Sequence, residues 1–144
     1  MPESKKPLPQ ATPETQEFWD GMKRGQFTLQ RCNDAACARA PYFPPRPFCP
    51  SCGSRDVSSF VASGRGTLHS YVINQRPAPG FEDDAPYAIA VVQLEEGPRL
   101  MTNIVGVEQT PEALPADLAV ILAPDAVTDE ITLPKFRPAA GGVR

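Results

Sequence analysis

Four cysteines fall within 21 residues, Cys32, Cys37, Cys49 and Cys52, in the spacing C-x4-C-x11-C-x2-C, and the chain has no others. Two close pairs joined by a short arm suit a tetrahedral metal ion. Zinc takes four thiolates at about 2.3 Å in closed structural sites. The second pair sits in Cys49-Pro-Ser-Cys52-Gly53-Ser54, where Gly53 lets the backbone turn back with positive φ just past the second sulfur. The first pair encloses Asn33-Asp34-Ala35-Ala36, a looser turn that is still within ligand spacing. Competing assignments are an empty or degenerate site, two disulfides, or a redox dithiol. Two disulfides need an oxidising compartment, and the N-terminal stretch MPESKKPLPQATPETQEFW has no apolar run of the secretory kind. A cytoplasmic setting with reduced thiols is therefore expected. A redox dithiol at Cys49 and Cys52 lacks the βαβ context such motifs sit in. One structural zinc ion is the preferred reading.

At 144 residues the chain has the length of one domain, or of a small domain plus a module. Its net charge of −3 disfavours a general electrostatic grip on nucleic acid. No apolar run approaches membrane-spanning length. The 18 prolines gather at the N-terminus, around the cysteines and in later loops, which implies short elements and no long helix.

Residues 1–13 read as a mobile polar arm. The helical segment is expected over 14–26, started after Thr12 by Pro13, with Glu14 and Glu17 in its early turns. Phe18, Trp19 and Met22 share one side of it, and that side needs a surface. Either the chain's own domain or a partner subunit could supply it. Residues 27–60 read as a zinc ribbon, opened by the alternating Phe27-Thr-Leu-Gln-Arg31. Tyr42, Phe43 and Phe48 are expected to cover the metal site. Base stacking is the sharper alternative for these rings.

From residue 57 the pattern is all-β, opened by a short strand at Val57–Ala62, with the barrel over 61–137 and a loose tail over 138–144. Gly64-Arg65-Gly66 reads as a turn, and Thr67–Gln75 and Tyr87–Glu95 as strands, the second apolar on both faces. Glu96-Gly97-Pro98 makes a tight turn into Arg99–Val107. Gln109–Pro115 is irregular or a single helical turn, Leu118–Ala123 is a buried strand, and Asp129–Phe136 is an edge strand because of Pro134. Five strands with a break after the third match a small Greek-key barrel, the OB-fold. The fold class is thus mainly β, with an N-terminal helix, a zinc ribbon and a C-terminal five-stranded barrel.

The stretches FWDGMKRGQFTLQRC, YFPPRPFCPSCGS, GRGTLHSYVINQR, PYAIAVVQLEEGPRLMTNIVG and ITLPKF, in this order, resemble the zinc-ribbon/OB-fold acyl-CoA-associated proteins, once grouped as a domain of unknown function. The resemblance spans roughly residues 17–137. It implies a helical segment, a rubredoxin-like zinc ribbon and an OB-fold. Family members with an intact ribbon usually have two residues between the first two cysteines, where this chain has four. The resemblance further implies a small partner subunit of a thiolase-like enzyme or a steroid side-chain aldolase, helping to accommodate acyl-CoA at a shared interface.

The chain's own catalytic inventory is thin. Its one histidine, His69, lies in a predicted strand next to Ser70, whose side chain then points to the opposite face. A four-thiolate zinc leaves no position for water. Glu82-Asp83-Asp84 lacks a calcium-loop pattern, and Glu95 and Glu96 are expected to be solvated at their turn. For CoA phosphates, Arg46 and Arg65 rank first among the arginines because they sit in the family-like motifs. The expected function is a non-catalytic accessory subunit. A nucleic-acid-binding ribbon/OB module, or a free-standing acyl-CoA-binding protein or thioesterase, stand as alternatives.

Overall fold

The computed structural model describes residues 6–37 and 41–139. The ends of the expected arm and tail, 1–5 and 140–144, lie outside the described residues. Among the described residues one helix, α1 (Gln16–Lys23), precedes seven strands: β1 (Thr28–Cys32), β2 (Val57–Val61), β3 (Arg65–Asn74), β4 (Tyr87–Leu94), β5 (Arg99–Thr102), β6 (Ala119–Ala126) and β7 (Thr132–Pro138). β1 and β2 pair as an antiparallel ribbon. The other five form an antiparallel sheet in the order β5-β4-β3-β6-β7. The sheet closes where Ile104 meets Phe136 in a parallel bridge. There Val105 N–H donates to the Phe136 carbonyl at 2.8 Å, and Phe136 N–H to that of Asn103 at 3.1 Å. Closure removes the two open edges that such a sheet would otherwise expose, and the expected OB-type barrel is present.

The strands follow their side-chain patterns. In β4, Ala88, Ala90, Val92 and Leu94 point into the core, and the residues between them are half-buried on the outer face. At Gly66 in β3 the neighbouring strand comes so close that an added Cβ would lie 2.6 Å from the Gln93 carbonyl oxygen. The expected Gly64-Arg65-Gly66 turn is therefore corrected. Gly64, at φ 80°, makes the turn, and Gly66 is already strand, kept small by that approach.

The helix starts later than the sequence suggests. Thr12–Thr15 instead form a hydrogen-bonded turn, with Thr15 N–H on the Thr12 carbonyl at 3.0 Å and Thr12 N–H on Thr15 Oγ1 at 2.9 Å. That bond ties up the hydroxyl at the N-cap position, and it makes no capping bond to the helix. At the other end Gly25, at φ 78°, closes the helix. Its N–H reaches the Met22 carbonyl and that of Gln26 the Gly21 carbonyl, both at 2.9 Å. This is the paired pattern of a Schellman stop.

A cluster of rings joins the parts. Phe27 lies 5.2 Å from Phe18 on the helix, 5.1 Å from Phe43 in the ribbon loop and 6.5 Å from Phe136 on β7, centroid to centroid. Phe18 and Met22 are buried in this same core. The chain's own domain therefore covers them, because Phe27 and Phe43 fill the space beside the helix. Trp19 packs only partly against the cluster. Of the rings expected over the metal site, Tyr42 is buried but Phe48 is 45 % exposed.

Candidate metal centre

The ribbon strands bring the two cysteine turns together. β1 delivers Cys32 at its end, opposite Val57 of β2, and the segment after it is tied by Asn33 N–H to the Asp56 carbonyl at 2.8 Å. The Gln30 amide oxygen accepts Arg46 N–H at 2.7 Å, and Gln30 bridges Tyr42 through the backbone. The second cysteine turn is thus hung on β1 from both sides.

Within the Cys49–Ser54 turn, Cys49 N–H donates to the Ser54 carbonyl at 2.8 Å and Gly53 N–H to the Cys49 carbonyl at 2.9 Å. Ser51 N–H points at the Cys49 sulfur at 3.3 Å. Nothing lies within 4 Å of a Cβ at Gly53, so its φ of 78° is the reason for glycine there. The first turn is held by a device the spacing alone did not disclose. Asp34 accepts Ala36 N–H on its carboxylate and Cys37 N–H on its carbonyl, both at 2.9 Å. This local Asx-type turn absorbs the two extra residues. Its signal was already in the sequence, as Asn33-Asp34.

The four sulfurs all lie within 4.8 Å of one another. Cys32 and Cys52 approach to 3.7 Å and Cys37 and Cys49 to 3.8 Å. A tetrahedron with metal–sulfur bonds of about 2.3 Å has edges of about 3.8 Å, whereas a disulfide needs about 2.05 Å. None of the four is in a disulfide. The donor set therefore fits a closed four-thiolate ion, and metal binding is the chemistry this arrangement supports.

The thiols differ in their surroundings. Backbone N–H groups of Cys52 and then Ser51 pull the Cys49 thiol down to about 7, against desolvation. At Cys32 the Asp34 N–H acts in the same lowering direction. Desolvation and the neighbouring sulfurs of Cys52, Cys49 and Cys37 outweigh it, and the thiol is pushed up to about 12. Four thiolates crowded together repel one another, and a divalent cation is what makes that arrangement favourable.

The other candidate residues stand apart from the cysteines. Arg46 and Arg65 are both exposed, the first in the loop before Cys49 and the second at the start of β3. His69 is exposed where the β3–β4 register shifts between Leu68 and Ser70. It is the extra residue of a bulge. Glu82, Asp83 and Asp84 are exposed. Glu96 corrects the expectation of a solvated turn. It is half-buried, and its Oε2 accepts Ser63 N–H at 2.7 Å, tying the β4–β5 turn to the entry of β3.

Two family models match in tandem. "ChsH2, rubredoxin-like zinc ribbon domain" covers residues 19–58 and "ChsH2, C-terminal OB-fold domain" residues 61–120. A "DUF35 domain-containing scaffold protein" of Methanothermobacter thermautotrophicus is 42 % identical over 94 residues, covering 64 % of this chain and 68 % of that protein. A protein of Thermomonospora curvata described as "Probable enoyl-CoA hydratase alpha subunit" is 37 % identical over 139 residues. That match takes in 96 % of this chain but 41 % of the relative, so the chain spans less than half of that protein's length. Among solved structures, a chain of the "Ltp2-ChsH2(DUF35) aldolase" superposes with a TM-score of 0.76 at 34 % identity, covering 91 % of this chain and 98 % of the other.

Proposed function

The chain belongs to the DUF35 family of rubredoxin-like zinc-ribbon and OB-fold proteins, and on that premise we propose that it is a non-catalytic accessory subunit of an enzyme acting on acyl-CoA. More finely, its partner is a thiolase-like or aldolase subunit, and it helps to accommodate the acyl-CoA at the shared interface. One observation carries this reading. The likeness to the chain of the aldolase assembly runs through helix, ribbon and barrel alike, over 98 % of that chain. The name "scaffold protein" borne by the archaeal relative agrees with a role without chemistry of its own.

In this reading Cys32, Cys37, Cys49 and Cys52 hold one zinc ion, whose work is structural. The ion fixes the ribbon, and the chain's own residues set its geometry: Asp34 shapes one turn and Gly53 the other. The cytoplasm, where thiols stay reduced, is the compartment that suits such a site. Phe18 and Met22 support the helix from below, since they are buried. Of the three helix residues, Trp19 is assigned to the partner contact, since it is only half-buried. Arg46 and Arg65 are assigned to the phosphates of the CoA moiety, as exposed guanidinium groups suited to bidentate contacts.

Co-expression with a thiolase-like or aldolase subunit from the same genome, followed by gel filtration and an activity assay, tests this. The expected result is a stable complex whose activity falls when this chain is left out. Replacing Trp19 by alanine weakens the complex, and Arg46→Ala with Arg65→Ala raises the apparent KM for acyl-CoA. A partner that is fully active alone and forms no complex overturns the proposal.

A further inference from the structure

We infer that the second half of β3, Ser70–Asn74, is an open strand edge that takes an extended segment of the catalytic partner as an added strand. The inference rests on the accessory-subunit reading and names a surface that serves it. β6 pairs with β3 only over Arg65–Thr67. One position further on, Leu68 N–H donates to the Leu118 carbonyl at 2.9 Å, and the Leu68 carbonyl accepts Asp117 N–H at 3.1 Å. The bulge at His69 follows, and beyond it no backbone bond joins β3 to that side among the described residues.

The register fixes where the next backbone groups point. Ile73 stands opposite Ala88 of β4, and Tyr71 opposite Ala90. Ala88 uses both its backbone groups away from β3: its N–H donates to Gln109 Oε1 and its carbonyl accepts from the Asn103 amide, both at 2.7 Å. In an antiparallel pair, residues directly opposite exchange both bonds or neither. Ile73 and, two residues back, Tyr71 therefore turn their N–H and C=O groups away from β4, toward the side that β6 no longer covers. None of these four groups makes a hydrogen bond among the described residues. Unpaired backbone groups are tolerated only where solvent or a partner meets them, and a spacing of two residues is what an added strand satisfies.

The stretch Ser70-Tyr71-Val72-Ile73-Asn74 has none of the charges or prolines that guard an edge, and Val72 is 62 % exposed. Val72 also begins an apolar strip. It pairs with Ile89, and on the same outer face Val91 pairs with Met101, which is 71 % exposed. A second copy of this chain is a poor occupant, because the two edges would pair over no more than Ser70–Asn74 before meeting the Asp117 segment. That falls short of the roughly 1,200 Å² that a stable interface buries. A segment of a chain already held elsewhere needs no such area, and the catalytic subunit is that chain. The segment sets an uncharged, β-branched side chain beside Val72.

Amide exchange read residue by residue tests this, on the full chain alone and in complex with a co-expressed thiolase-like or aldolase subunit of the same genome. In the free chain the Tyr71 and Ile73 amides are expected to exchange freely. In the complex they slow by about tenfold or more, the equivalent of one hydrogen bond. Val72 N–H faces β4 and is the internal reference, slow in both states. Ile73→Pro removes a donor on the open side only and is expected to weaken the complex about tenfold. Val72→Lys weakens it about fivefold, the reach of one cross-strand pair. The exchange comparison uses no variant, so it decides even where a substitution disturbs the fold. A complex in which both amides still exchange freely, or which both variants join as tightly as the unmutated chain, overturns this inference and leaves the accessory-subunit reading standing. So does protection of the two amides in the free chain. Absence of any complex overturns that reading, and this inference with it.

Discussion

The ribbon and the barrel solve the same problem with different means. The barrel buries a continuous core, from Leu68 on β3 through Val92 on β4 and Val120 on β6 to Phe136 on β7. The ribbon has two five-residue strands, and β2 buries none of its side chains fully. Beyond Phe27, Leu29, Tyr42 and Cys49, it has little apolar mass of its own below the surface. A module this small cannot be held by burial alone. The sulfur cluster supplies what the core lacks, because metal binding there is folding free energy. On the proposed reading the ribbon's stability depends on metal and the barrel's does not, and Phe27 joins the two, its ring against Phe43 in the ribbon loop and Phe136 on β7.

The comparison is broken most severely by removing the ion. Chelation, or Cys37→Ser, is expected to forfeit most of a stabilisation of order 10 kcal/mol within the ribbon. Amide exchange should then show residues 28–61 losing protection while β3–β7 keep theirs. Equal loss in both regions would mean the two are not separable. Acid does the same as chelation, because protons compete with the ion for the thiolates.

Next in size is the barrel's own centre. Phe136→Ala should cost about 3–5 kcal/mol in denaturant melts while the metal content in native buffer stays that of the unmutated chain. Gly66→Ala follows, at about 1–3 kcal/mol, because a Cβ there meets backbone and not a flexible side chain. A smaller loss, about 1–2 kcal/mol, is expected for Asn103→Ala. Its amide donates to the Ala88 carbonyl at 2.7 Å, and without it that carbonyl is left unpaired. If any of these three released zinc under native conditions, the two regions would be more tightly coupled than the ring cluster implies.

Much of this was legible in the chain. The cysteine spacing, the alternation in Tyr87–Leu94 and the Glu96-Gly97-Pro98 turn each carry their signal within a few residues. Where the reading slipped, a distant partner decided. β5 was expected to run to Val107, yet it ends at Thr102. There Asn103 turns to Ala88, and Ile104 crosses to Phe136. β6 was expected to stop at Ala123 and instead continues through Pro124 to Ala126. It pairs with β3 only over Ala119–Ile121, so a proline beyond that stretch removes no bond to β3. Phe48 stays exposed, and nothing local in the sequence says so.

What the sequence determined by itself was chemistry and local geometry: four thiols at ligand spacing, a helix stopped by Gly25, strands that alternate, turns placed by glycine. The tertiary structure decided which of these surfaces meet. It closed the barrel through a parallel bridge between residues 32 positions apart. It buried Phe18 and Met22 at home, gave Glu96 a backbone donor from another loop, and set Lys6 against Asp84. The physical reason is one of range. Dihedral preference, side-chain alternation and turn chemistry act over a few residues. Burial and pairing depend on what the fold brings near, and no short window of sequence contains that.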